Sequence, residues 1–272
     1  MGIYICPVCG KELEAWERTF VCGSGHSFDT AKSGYVNLLL SKHIGKAVHG
    51  DNKLMVQARR DFLESGYYSG LKDALCRMAA KHFSGSFVLD AGCGEGYYTG
   101  AIADEFEQLE IAADIYGIDI SKIAVDMAAK RHKNVRFAAA SVFHIPVLDS
   151  SCDMLTTVFS PYCGGEFQRV LRDGGTMLMV IPGEEHLWEM KQAIYDIPYK
   201  NQVKDFSLEG FELMENQHIR YSIELESKEH IKALFSMTPY YYRTGREQQE
   251  RLYSLERLMT TVEFRLLVYR KK

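Results

Sequence analysis

Glycines at positions 92, 94 and 96, set between a short apolar run and a helical segment, constrain the fold of this chain most strongly. The stretch runs Phe87-Val-Leu-Asp-Ala-Gly-Cys-Gly-Glu-Gly-Tyr-Tyr-Thr-Gly100. A β-prone run ending in Asp90 has to turn sharply through the glycines and enter a helix at about Tyr97. Glycine permits such a turn and lets a ligand approach where a Cβ would collide. The spacing is G-x-G-x-G rather than the G-x-G-x-x-G of dinucleotide sites. With an acid just before the turn, it points to S-adenosylmethionine (AdoMet), which has no pyrophosphate to be repelled and carries a cationic amino group. A lone glycine turn is weak evidence, because many α/β proteins use one only to start a helix.

The rest of the chain supplies the context. Tyr116-Gly-Ile-Asp-Ile-Ser121 predicts a second strand with Asp119 at its end, where an acid accepts hydrogen bonds from ribose hydroxyls. Val135–Ala140 predicts a third, running into Ser141, and Cys152–Phe159 a fourth, ending at Ser160-Pro161-Tyr162. A turn at Arg172–Gly175 leads into a fifth, Thr176–Pro182. Strand signals with helical spacers imply βαβ units and a parallel sheet. Further on, Phe211–Gln217 and His218–Leu225 predict two paired strands, Lys228–Ser236 a helix and Val262–Tyr269 a closing strand. The expected fold class is α/β, Rossmann-like, with a mostly parallel seven-stranded sheet. Asp90, Gly92, Gly94, Gly96 and Asp119 are its candidate cofactor residues.

Two flanking segments bear on the site. Leu54–Phe83 has a helical pattern broken at Gly66, followed by Tyr67 and Tyr68; one of these tyrosines would lie on the methionine portion of AdoMet. Pro182-Gly-Glu-Glu-His186 follows a central strand, and a loop at that position lies at the substrate mouth, which makes His186 a candidate.

The first residues have a different chemistry. Cys6, Cys9, Cys22 and His26 are spaced C-x2-C-x12-C-x3-H, the pattern of a structural zinc site. So small a module cannot bury enough apolar surface to fold without a staple. An odd total of 7 cysteines argues against a secreted disulfide framework. Cys76, Cys93, Cys152 and Cys163 are taken as small packing residues. No apolar run approaches the ~20 residues of a membrane helix, and a cytoplasmic location is expected. The net charge is −4, yet residues 30–60 carry Lys32, Lys42, Lys46, Lys53, Arg59 and Arg60 against Asp51 alone, with His43 and His49 beside them. A basic stretch in an acidic protein suits a polyanion or a solvated linker. Phe28, Tyr35, Lys32 and Asn37 interleave in a way compatible with stacking on bases, although Phe28 is expected to pack the metal-centred core.

Taken together, the Cys/His module, Phe28-Asp-Thr-Ala-Lys-Ser-Gly-Tyr-Val-Asn-Leu-Leu39, Gln57-Ala-Arg-Arg60 and Asp90–Thr99 resemble the bacterial 23S rRNA (guanine-N1)-methyltransferases. Pro182-Gly183, His186-Leu187 and Met237-Thr-Pro239 extend the likeness over almost the whole chain. The resemblance implies methylation of N1 of a guanine in a 23S rRNA hairpin loop near the peptide exit tunnel, with AdoMet as donor. It implies zinc at Cys6, Cys9, Cys22 and His26, cofactor contacts at Tyr68, Gly96, Tyr97 and His186, and a homodimer without membrane or DNA partners. The implied organisation is a zinc-binding RNA-recognition module at 1–40, a basic linker with helices at 41–84, and a methyltransferase domain at 85–272. Ser160-Pro161-Tyr162 departs from the Ala-Pro-Cys of some relatives, and no residue stands out as the proton acceptor for N1. Two other readings stay open: a methyltransferase for a small molecule such as a quinone, and a non-catalytic RNA-binding assembly factor.

Overall fold

The computed structural model describes residues 2–40, 53–203 and 205–272. Lys42, His43, Lys46, His49 and Asp51 of the basic stretch lie outside the described residues. At the N-terminus, β1 (Leu13–Trp16), β2 (Thr19–Cys22) and β3 (Ser27–Asp29) form an antiparallel ribbon, and β4 (Val36–Asn37) leads away from it. Two helices follow, α1 (Lys53–Glu64) and α2 (Ser69–His82). The alternating unit is β5 (Phe87–Ala91), α3 (Tyr97–Gln108), β6 (Asp114–Asp119), α4 (Lys122–Arg131), β7 (Arg136–Ala139), β8 (Cys152–Val158), α5 (Gly164–Val170), β9 (Leu171–Pro182) and α6 (Trp188–Ile194). The chain closes with β10 (Phe211–Leu225), α7 (Lys228–Ser236), α8 (Arg246–Tyr253) and β11 (Leu258–Lys271).

The main sheet has eight strands in the order β10-β11-β9-β8-β5-β6-β7-β4. β11 alone runs against the others. The eighth strand, beyond the seven expected, is β4, which pairs Val36 with Ala138 and Asn37 with Ala139 in parallel. A second correction concerns residues 211–225, expected as two strands. They form one, whose ladder to β11 continues through Gln217↔Leu266 and His218↔Arg265. Between Phe211 and Leu225 there is no glycine or proline to turn the chain, so it runs on, with a bulge at Leu213/Glu215.

Because successive side chains in a strand point to opposite faces, the sheet carries two apolar layers. Val88, Ile115, Met154, Leu178, Val180, Phe264 and Leu266 face the helices, including residues of α2, α3 and α4. Leu89, Ala91, Tyr116, Ile118, Ala138, Leu155 and Met177 face the other way. On that second face residues 140–151 join β7 to β8 without a helix. The N-terminal ribbon occupies the space: Ile3, Tyr4, Leu13, Val36 and Leu38 belong to the same buried cluster as those strand residues. The Tyr4 ring meets Tyr116 edge-on at 5.3 Å. Ile5 N–H donates to Pro146 O (3.0 Å), and Leu148 N–H to Ile3 O (2.9 Å). Phe28 is half-buried and packs against this cluster, as expected.

Candidate functional site

The strand order reverses between β5 and β8, the switch point at which an open α/β sheet leaves a crevice beyond its strand tips. Gly92, Gly94 and Gly96 lie there with φ of +93°, +55° and +88°, a left-handed backbone that L side chains rarely adopt. A Cβ on Gly92 would overlap the Ser160 side chain, 2.5 Å from its Cβ, whereas one on Gly94 would meet nothing within 4 Å. The loop therefore packs against the exit of β8 and stays open at its middle glycine. Gly96 precedes α3 directly, so the loop delivers backbone N–H groups at a helix N-terminus.

The two acids have anchoring roles. Asp90 is 2% exposed and accepts hydrogen bonds from Thr99 Oγ1 on α3 and Thr156 Oγ1 on β8 (2.9 Å for the latter). Burial raises its carboxyl to about 6, against the lowering effect of the two hydroxyls. Asp90 thus ties β5, β8 and α3 together beneath the loop. Asp119 accepts from Gly94 N–H (3.0 Å) and Ser121 N–H (2.8 Å), which fixes the loop's middle glycine to the tip of β6.

Across the crevice four rings converge. Tyr68, at the start of α2, lies 6.2 Å from His186, 6.5 Å from Phe159 and 5.0 Å from Phe264. His186 is 8% exposed, and its Nδ1 accepts the backbone N–H of Glu263 (3.3 Å). The proton of the neutral ring is therefore on Nε2. Burial, helped by the charge of Lys191, lowers this imidazole to about 3. Tyr97 is half-buried at the first turn of α3, edge-on to Tyr98, and burial pushes its hydroxyl up to about 12. The structure thus gathers Tyr68, Asp90, Gly92, Gly94, Gly96, Tyr97, Asp119 and His186 at one end of the sheet.

Sequence reasoning missed three members. Phe159 and Phe264 look like ordinary strand residues until β8, β9 and β11 are assembled. Glu95, between the last two glycines, is 3% exposed, and its Oε1 has no hydrogen-bond partner among the described residues. Two features fit AdoMet: glycine room at the loop and aromatic faces suited to a sulfonium.

A pH test isolates His186. In the unfolded chain it titrates near 6.5 and in the native chain at about 3, so between these values the unfolded state holds more protons. Native stability is fully present above pH 6.5 and falls as the pH drops toward 3. Asp90, raised from 3.8 to about 6, acts in the opposite sense over its narrower window. Moving from pH 7 to pH 5 should cost about 2 kcal/mol through His186. Because Asp90 offsets part of this in both proteins, urea unfolding at the two pH values should show the wild type losing about 2 kcal/mol more than His186→Gln does. Equal increments would mean that the ring is not buried neutral.

In the ribbon, Cys6, Cys9, Cys22 and His26 place their donor atoms within 4.8 Å of one another. Cys9 Sγ and Cys22 Sγ are 3.6 Å apart, and His26 Nδ1 lies 3.5 Å from Cys6 Sγ and 3.4 Å from Cys22 Sγ. A tetrahedral zinc with Zn–S of about 2.3 Å and Zn–N of about 2.0 Å requires edges of roughly 3.5–3.8 Å. The three shortest separations match such edges, and all four donors are close enough to converge on one ion. Four protein ligands leave no open position, which makes the metal structural.

Comparison with known proteins agrees with both halves. Residues 4–43 match the model described as "RlmA, N-terminal", a zinc ribbon, and residues 82–253 match a methyltransferase domain. The chain is 37% identical over 193 residues to the 23S rRNA (guanine(748)-N(1))-methyltransferase of Streptomyces fradiae, covering 70% of this chain and 66% of that one. It is 33% identical to a putative 23S rRNA (guanine-N(1)-)-methyltransferase of Micromonospora griseorubida, covering 88% and 86%. Among solved structures, the YcgJ protein of Bacillus subtilis superimposes with a TM-score of 0.51 at 18% identity, over 74% of this chain and 98% of that one.

Proposed function

The chain belongs to the 23S rRNA (guanine-N1)-methyltransferases, and on that premise we propose that it methylates N1 of a guanine in a 23S rRNA hairpin loop near the peptide exit tunnel. One observation carries the reading: a Cys3His ribbon and a glycine-loop site at the switch point occur together in one chain.

Bound AdoMet supplies a methyl carbon made electrophilic by its sulfonium. The chain's own contribution is alignment, which can supply ~7–11 kcal/mol of a barrier when the reacting atoms are held close. Gly92, Gly94 and Gly96 give the donor backbone room. Asp119, at the tip of β6, stands where a carboxylate accepts from ribose hydroxyls. Tyr68, Tyr97 and His186 line the methionine side, and His186, being neutral, adds no repulsion to a cationic donor. Guanine N1 is protonated and paired in a duplex, so the target has to be exposed in a loop or flipped out. Among the described residues no helix is long and apolar enough to cross a membrane. The family resemblance supports extending the reading to a cytoplasmic homodimer.

The test is transfer of labelled methyl from AdoMet to unmodified 23S rRNA, followed by reverse transcription. N1-methylguanine blocks the Watson–Crick face, so one new stop is expected at one guanine. Label on a quinone but not on rRNA would replace this reading with small-molecule chemistry. RNA binding without any transfer would replace it with an assembly role.

A further inference from the structure

We infer that Phe159 is the platform on which the target guanine stacks when it faces the donor methyl group; this assignment rests on the reading just given. Phe159 sits at the tip of β8, at the switch point, immediately before Ser160, whose side chain abuts Gly92. Its backbone is left-handed, with φ +55°. An aromatic residue resists that conformation, and strained backbone of this kind gathers where a site requires it. Its N–H still donates to Val180 O (3.2 Å), which holds the strained residue on β9.

Its exposure is equally unusual. The other three rings of the group, Tyr68, His186 and Phe264, are all buried, whereas Phe159 is 43% exposed. It packs against Phe264 at 5.6 Å and lies 6.4 Å from His186 with the two planes 24° apart. The buried rings therefore support it from behind and leave part of its surface to solvent at the crevice. An apolar ring presented this way loses by contact with water and gains by contact with a flat π-system. A purine removed from its own stack is such a partner, and every base has a π-face to offer. A sulfonium alone would need no exposed ring here, since Tyr68, His186 and Phe264 already supply aromatic surface.

Three variants on the full chain, assayed with unmodified 23S rRNA and labelled AdoMet, test the assignment. Phe159→Leu keeps apolar bulk without a π-face and should lower kcat/KM for rRNA about 10- to 100-fold. Its AdoMet Kd, by calorimetry, should stay within about threefold of wild type. Phe159→Trp should retain near-wild-type turnover. Phe159→Gly also releases the left-handed strain, so its unfolding midpoint should not fall although activity does; that separates a stacking role from a structural one. Full activity in Phe159→Leu would overturn the assignment. So would an equal loss of AdoMet affinity, which would make Phe159 a wall of the donor pocket. If the wild type leaves 23S rRNA unlabelled, the functional reading fails first and this one with it; a labelled wild type with an active Phe159→Leu fails this one alone.

Discussion

Replacing Cys22 with alanine should abolish zinc binding and lower the unfolding midpoint of the entire chain, in one transition. Structural zinc contributes roughly 10–16 kcal/mol of apparent binding free energy in small finger peptides near neutral pH. A ribbon of this size has too small a core of its own to stay folded without the metal. In many proteins its loss would end there. Here the ribbon lies over Leu89, Tyr116, Ile118 and Ala138, filling the face that residues 140–151 leave without a helix. Its unfolding would expose that face and release β4 from β7. At roughly 2–4 °C per kcal/mol for a chain of this size, losing even a few kcal/mol lowers the midpoint by about 10 °C. Scanning calorimetry with parallel zinc analysis checks it, and AdoMet affinity should decline together with the native population. A variant that loses the metal yet keeps the main transition at its wild-type temperature would show that the ribbon is a detachable attachment.

The second large effect is expected at the glycine loop. Gly92→Ala puts a Cβ into the Ser160 side chain and requires an alanine at φ +93°. The left-handed region costs an L residue roughly 1–2 kcal/mol, and the overlap adds displacement of the β8 exit. Since Ser160 neighbours Phe159, that displacement reaches both the donor loop and the aromatic group. AdoMet affinity should fall about 10-fold or more, the factor to which 1–2 kcal/mol of strain corresponds. Gly92→Ala combined with Ser160→Gly removes the overlap but not the φ penalty, and should recover part of the loss. Isothermal titration of the three proteins decides it; wild-type affinity in Gly92→Ala would mean that the loop does not hold the donor.

Much of the site was legible because its signals are local. The glycine spacing, the acid ending β6 and the C-x2-C…C-x3-H ligand pattern each lie within a few residues of one another, and short-range sterics or metal geometry enforces them. The helix at 228–236 was legible for the same reason: Ser227 caps it by accepting from His230 N–H (3.2 Å). The break expected between Gln217 and His218 was wrong because β-strand length is set by the partner: β11 offers a long ladder that keeps β10 straight. Phe159 was passed over as the last residue of a strand, since nothing in the sequence around it marks a left-handed backbone.

By itself the sequence determined the ligand set for a metal, the glycine turn that admits a sulfonium donor, and the alternation of strands and helices, all governed by contacts between near neighbours. Only the tertiary structure decided that the ribbon is part of the sheet's core rather than an appendage. It also turned Asp90 toward two threonines and brought Tyr68, Phe159, His186 and Phe264 together. These outcomes depend on which strands lie side by side and which connection lacks a helix, and burial, not local spacing, sets both.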